Sequence, residues 1–410
     1  MFNKIAARLR KNWMLVLPIA SAVASFLLSF WLKIVLAAEN YGDFATAFFI
    51  VNVLIGLGVV GYDHVIIRLS KLTENGLEID RPLLFVGILI LLLTPTFSFV
   101  FLKNFGVVSE FNSVFILLSF STACIAVLTV LFNLQGRLLE SYLFLGSWKV
   151  VLSIVIAFLY LFDVSIENFE FLILFSLSST FLWFFVFRKK IFHLVKNQVK
   201  IKALFLLYFT SLISLISYQA FEGLDRFLLL DNFDKVLFGD YFFVFNFIMA
   251  PTSIFVSYYS VSCLKKYKAF FSYKEMLNDV LKVFYFTSFM IFFLCIVLFF
   301  LSEIQFVRFP AITMSLMFLI SCVCIIRNCY LVVSVSYRVV ASKLSLTLVA
   351  FIFGTLACFF YWLSSLNILE PSMEMIISFI LFLWVLRTLV YFLVVKIDSL
   401  KNNQVDIYET

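Results

Sequence analysis

Apolar residues run almost without relief from Trp13 to Val395, broken only by short polar stretches. Within the apolar runs, such as Ile88 to Leu93 or Met290 to Leu301, polar and apolar positions do not alternate. A membrane β-barrel needs that alternation over segments of about 10 residues. A helix crossing a hydrocarbon core of about 30 Å needs about 20 apolar residues, at about 1.5 Å of rise each. The pattern therefore predicts an all-α membrane protein with about 12 transmembrane helices, at 13–36, 44–67, 83–102, 111–134, 142–162, 169–187, 203–230, 237–261, 280–301, 310–335, 343–364 and 373–395. Pro82, Pro310 and Pro371 fall at or just before span starts, where a missing N–H costs nothing. Pro18, Pro95 and Pro251 fall inside spans, where neighbouring helices can answer the freed carbonyl.

Composition agrees: 64% of the 410 residues are hydrophobic and 13% charged, against roughly 25% charged in soluble domains. The 56 phenylalanines read as lipid-facing and packing residues rather than as a stacking platform. Seven cysteines lie inside apolar runs. Cys322, Cys324 and Cys329 share a helix but have no His or carboxylate at ligand spacing, so no metal site is expected. The N-terminus has the basic start of a signal peptide, Lys4, Arg8, Arg10 and Lys11. Its apolar run continues to Leu36, beyond the roughly 7–15 residues of a cleavable core, and reads as a retained first span.

Basic residues set the orientation. With the N-terminus in the cytoplasm, 26 of the 31 Lys and Arg fall on the cytoplasmic side. Only Lys33, Lys103, Arg226, Lys235 and Arg308 fall outside. Both termini are thus expected in the cytoplasm, with the chain crossing the membrane many times. Outer connections are short, about ten residues at most by span spacing. The two sizeable cytoplasmic segments, 188–202 and 264–282, are basic with interleaved apolar residues, which suits contact with anionic lipids.

The halves of the chain repeat a motif. Tyr41-Gly42-Asp43-Phe44 opens the second span and Phe238-Gly239-Asp240-Tyr241 opens the eighth. Glycine is expected to permit a tight turn there, and Asp to sit at a helix N-terminus. Two six-helix halves of parallel topology would follow, at 1–187 and 203–396, joined by a basic cytoplasmic linker at 188–202 and followed by a cytoplasmic tail at 397–410.

The run Glu39-Asn40-Tyr41-Gly42-Asp43-Phe44, a glycine-rich second span ending Asp63-His64-Val65-Ile66-Ile67-Arg68, and Gly223-Leu224-Asp225-Arg226-Phe227 before Phe238-Gly239-Asp240-Tyr241 resemble bacterial oligosaccharide flippases. These are the O-antigen and polysaccharide exporters of the multidrug/oligosaccharidyl-lipid/polysaccharide superfamily. The resemblance implies two six-helix bundles forming a V around a central cavity. It also implies transfer of an undecaprenyl-pyrophosphate-linked oligosaccharide between leaflets by alternating access. Polymerase and chain-length proteins of the same pathway would be partners; nucleic acid would not.

Ionisable residues inside spans are costly and mark candidate sites. Arg387 lies nine residues before Lys396, near mid-membrane. Arg327 falls in the inner half of the tenth span, Lys149 in the inner third of the fifth, and Lys33 one turn from the outer end of the first. These four form the expected cationic substrate site, since a guanidinium fork matches phosphate oxygens. Glu222, Asp225 and Arg226 are candidates for coupling or gating. Glu222 and Arg226 are spaced as a helical ion pair, which leaves Asp225 with surplus negative charge. Asp63 and His64, one turn inside Arg68, are a second such candidate, because His titrates near neutrality. No cofactor is expected, although proton or cation coupling would suit these groups.

Two other functions compete. A membrane polymerase or glycosyltransferase would need larger outer loops and a catalytic motif, and neither is visible. A drug or metabolite antiporter would favour an acidic, aromatic-lined pocket. The topology is directly testable: reporter fusions near positions 195, 270 and 405 should be active in the cytoplasm, and those near 165 and 234 in the periplasm. A periplasmic signal at the C-terminus would reverse the assignment.

Overall fold

The computed structural model describes residues 23–73, 76–135, 137–162, 164, 168–187, 193–195, 201–303, 312–340, 343–365 and 372–408. Fourteen helices occur among them. They are α1 (Val23–Val35), α2 (Ala38–Leu57), α3 (Tyr62–Leu69), α4 (Arg81–Asn104), α5 (Ser113–Leu134), α6 (Leu138–Leu161), α7 (Phe169–Phe187), α8 (Ile201–Glu222), α9 (Leu224–Asn232), α10 (Lys235–Ala269), α11 (Tyr273–Glu303), α12 (Met314–Val340), α13 (Lys343–Ser365) and α14 (Met373–Tyr408). Nine contain stretches long and apolar enough to cross a membrane, and α1 and α7 carry shorter apolar stretches. The all-α membrane class expected from the sequence holds. The first half of the first span, most of the 188–202 linker, and Pro18, Pro310 and Pro371 lie outside the described residues.

Two expected spans are broken. The second stops at Leu57, turns through Gly58, Val60 and Gly61, all at positive φ (54°, 51° and 81°), and resumes as α3. The seventh stops at Glu222 and restarts after Gly223 as the short α9. Apolar length alone revealed neither break: the first lies inside apolar sequence, and the second falls within a charged cluster that reads equally well as one continuous helix. Pro82 begins α4 and Pro95 lies within it, as expected. Pro251 lies within α10, where the next residue, Thr252, turns its hydroxyl back to the carbonyls of Ile248 and Met249, 3.1 Å from each. The expected tail from 397 is helical through Tyr408 as the end of α14.

A small sheet departs from the all-helical expectation. β1 (Lys71–Thr73) and β2 (Gly76–Asp80) pair antiparallel, and β3 (His193–Val195) joins β2 in parallel. The alternation Leu77-Glu78-Ile79-Asp80 carries the strand signal, with Leu77 and Ile79 buried. Its shortness hid it beside the much longer apolar runs.

The chain packs into two compact units. Unit one contains the described residues through Leu28 together with Asp43–Gly223; unit two contains Ser29–Gly42 and the chain from Leu224 onward. In unit one, α5 packs on α4, α6 and α7, while α3 packs on α8, α5 and α4. In unit two, α12 is the central helix, against α10, α11 and α14, and α9 packs on α10, α13 and α14.

The 264–282 segment, expected as a cytoplasmic connection, is almost wholly helical: α10 runs to Ala269 and α11 begins at Tyr273. Asp279, 3% exposed, clasps the two helices. Its carboxylate accepts from Tyr259 (2.9 Å), Tyr267 (3.0 Å), Lys266 (3.1 Å) and Lys282 (3.3 Å). Burial, with Cys263 and Asp279 alongside, pushes the Tyr267 hydroxyl far above its usual range, so it remains a donor. Removing a buried acceptor of several hydrogen bonds costs about 3 kcal/mol. Asp279→Ala should therefore lower the thermal unfolding midpoint of the detergent-solubilised protein by several degrees. Asp279→Asn, which can still accept, should lose less. An unchanged midpoint for the alanine variant would show that the clasp contributes nothing.

Candidate functional site

The repeated motif is the point from which the polar interior of unit two grows. Asp234 caps α10, its carboxylate accepting from the Leu237 N–H at 2.7 Å. Asp240 therefore lies inside the helix, not at its N-terminus as expected. Tyr41-Gly42 likewise falls inside the first turns of α2. The glycines serve close packing rather than a turn. A Cβ on Gly239 would stand 3.2 Å from the Gly42 Cα and from a Tyr41 ring carbon, and one on Gly42 would run into the Lys235 carbonyl. The two motif copies thus lie directly against one another. Small residues permit such backbone approach in apolar surroundings, where van der Waals contact drives packing.

On one side of this contact, Lys33 of α1 is ion-paired with Asp240, and both side chains are almost fully buried. Lys33 also lies 4.9 Å from the centre of the Tyr41 ring, and the Tyr41 hydroxyl hydrogen-bonds Ser29 at 2.8 Å. On the other side, the Tyr241 hydroxyl donates to Asp225 at 2.6 Å, and Arg327 approaches the same carboxylate at 3.6 Å. Asp225 is 1% exposed and Arg327 5%.

Arg327 lies 5.1 Å from the Phe245 ring and 4.8 Å from Trp384. Arg226 lies 4.8 Å from the same Phe245 ring. Arg387, 2% exposed, lies 5.6 Å from Trp384, 4.8 Å from Tyr330, 5.6 Å from Tyr391 and 5.9 Å from Phe353. Each ring presents a negative face to a cation, an attraction of about 2 kcal/mol once water is excluded. Arg327 and Arg387 thus share one indole.

Glu222 and Arg226, expected one turn apart on a continuous helix, lie on two separate helices. The break at Gly223 puts Glu222 at the end of α8 in unit one and Arg226 on α9 in unit two. Asp225 is not a surplus charge, because Arg327 and Tyr241 answer it. Arg327 lies at the middle of the 27-residue α12 rather than toward one end. Lys149 lies at the middle of α6, because that helix begins earlier than expected, at Leu138. It is half-buried in unit one, 5.8 Å from the Phe48 ring and 5.6 Å from Trp148, and makes no ion pair with any described residue. Of the four expected cations, Lys33, Arg327 and Arg387 therefore share unit two, and Lys149 does not. Asp63 and His64 lie on α3, and their side chains are outside the described residues.

Sequence reasoning missed Asp240 and Tyr241 as the pair of neighbours that serve the two buried ion pairs. Their membership in a repeat was the available signal; the helix-dipole argument misdirected it. Among the described residues, no group of three metal-ligating side chains forms.

No family model and no curated protein matches the chain. A solved structure titled "Crystal structure of MATE in complex with MaL6" is similar at 12% identity and a TM-score of 0.49, over 95% of each chain. So remote a likeness carries no functional inference. The helices and the buried charges themselves define the class: a multi-pass α-helical membrane protein whose second unit encloses the Lys33–Asp240 and Arg327–Asp225 pairs and guanidiniums set against aromatic rings.

Removing one partner of a buried pair strands the other charge and costs about 3–5 kcal/mol, whereas an apolar replacement of both is nearly neutral. Asp225→Ala and Arg327→Met should each lower folded protein in the membrane several-fold. The double variant should recover most of it. Additive loss in the double variant would mean that the pair is not coupled.

Proposed function

We propose that this protein is a flippase. It carries undecaprenyl-pyrophosphate-linked oligosaccharide from the inner to the outer leaflet of the bacterial inner membrane by alternating access. The observation that carries the reading is the placement of Arg327 and Arg387 on one indole, Trp384, deep within unit two. Two guanidiniums share this locus of low dielectric, and Asp225 offsets the charge of one of them. The ligand chemistry that suits it is a multiply charged anion with bidentate acceptors, as in a pyrophosphate.

The resemblance of both motif copies to polysaccharide exporters points the same way. The contact between Gly42 and Gly239 gives those motifs a physical reason to recur together. Aromatic surroundings would also suit an organic cation, but the resident arginines oppose one electrostatically. That separates this reading from a drug antiporter. Reversible proton or cation coupling through the acidic members of the site belongs to the same proposal.

Deletion of the gene should abolish surface polysaccharide while lipid-linked single repeat units accumulate facing the cytoplasm. If single units reach the periplasm and only chain extension fails, the protein is a polymerase instead. Within the complemented strain, Arg387→Ala should reduce transport at least tenfold at normal protein abundance. Arg387→Lys, which keeps charge but loses the fork, should retain part of it. Full transport by a normally abundant Arg387→Ala protein would remove the residue from the site.

A further inference from the structure

Unit one holds a second polar feature that the buried ion pairs do not explain. Gln219 of α8 is 8% exposed, yet its side-chain amide makes no hydrogen bond with any described residue. The amide lies over Gly56 of α2, where a Cβ would stand 2.8 Å from Oε1 and 2.9 Å from Cδ. Only glycine leaves the amide this position. With no partner among the described residues, the amide is left to answer water or a ligand.

The backbone beside it is also unusual. The break after Leu57 sends the Val60 N–H to the Leu57 carbonyl and the Tyr62 N–H to the Val59 carbonyl, each at 2.9 Å. The carbonyls of Ile55 and Gly56 thereby leave the regular i→i+4 ladder, and both residues are half-exposed. One turn earlier on the same helix face stands Asn52, exposed in the middle of an apolar stretch. Its Nδ2 donates to the Phe48 carbonyl at 2.9 Å. An exposed amide at that depth is ill suited to lipid and well suited to a hydrated or ligand-filled space.

We propose that Gln219, Asn52 and the carbonyls of Ile55 and Gly56 form a site for the hydroxyls of a sugar. The inference rests on the flippase reading and assigns the oligosaccharide part of that substrate to unit one. Its chemistry is neutral throughout: each amide offers two donors and an acceptor, and the carbonyls add acceptors. A sugar hydroxyl, itself donor and acceptor, satisfies such a set.

The test uses the full-length protein in detergent and two probes. One is the oligosaccharide released by mild acid from the host's own lipid-linked repeat units; the other is undecaprenyl pyrophosphate without sugar. Binding is read by calorimetry. Gln219→Leu should weaken oligosaccharide binding about tenfold and leave binding of the sugar-free lipid unchanged. Asn52→Ala, at a more exposed position, should weaken it several-fold and guards against a folding defect in the first variant. Equal oligosaccharide affinity in wild type and both variants would overturn the site. So would failure of the wild type to bind oligosaccharide at all, which would mean that the amide holds only water. Oligosaccharide binding by a protein that moves no lipid in cells would overturn the flippase reading and leave the sugar site standing.

Discussion

A charge inside an apolar helical unit must meet an opposite charge, a hydrogen-bonding group or an aromatic face within a few ångströms. The interior of unit two is organised by that requirement. Asp240 answers Lys33, Asp225 answers Arg327 and receives the Tyr241 hydroxyl, and the rings of Phe245, Trp384, Tyr330 and Tyr391 hold the guanidinium groups. The helices that bring these groups together are separated by up to two hundred residues of sequence. Residues 240 and 241, adjacent on α10, face two different ion pairs, so displacing α10 would disturb both at once.

That arrangement is possible because two glycines let backbones approach. Gly42 and Gly239 bring the two motif copies to van der Waals contact, and this close approach sets α1 near enough for Lys33 to reach Asp240. Glycine acts differently in unit one. Gly58 and Gly61 carry the chain through a turn that interrupts a span, with the β-branched Val60 held at positive φ between them. A valine there is strained by about 1–3 kcal/mol, a cost the surrounding packing must offset. The interruption frees backbone carbonyls beside the unanswered amide of Gln219, so both units use glycine to admit polar chemistry into apolar surroundings.

Charge distinguishes the two units. Unit two concentrates cations and rings, which suit an anionic head group. The polar face of unit one is made of amides and carbonyls, which suit hydroxyls. Lys149 lies in unit one beside the rings of Phe48 and Trp148 at the middle of α6, where removal would show whether it acts on substrate or merely fills space.

The sequence by itself determined the class, the helices and the list of costly charges. An apolar run long enough to cross a bilayer has few other stable states, and an ionisable residue within one is conspicuous. The breaks at Gly58–Gly61 and Gly223 escaped, because a glycine inside an apolar run looks the same whether the helix bends, packs or stops there. The three-stranded sheet escaped because its strands are too short to stand out by period. Only the tertiary structure decided which charges meet. The Glu222–Arg226 spacing assumed a continuous helix, and the chain breaks at Gly223 between them. Asp225 found Arg327 across about a hundred residues. Ion pairing depends on which helices pack together, and local spacing carries no information about partners that arrive from elsewhere in the chain.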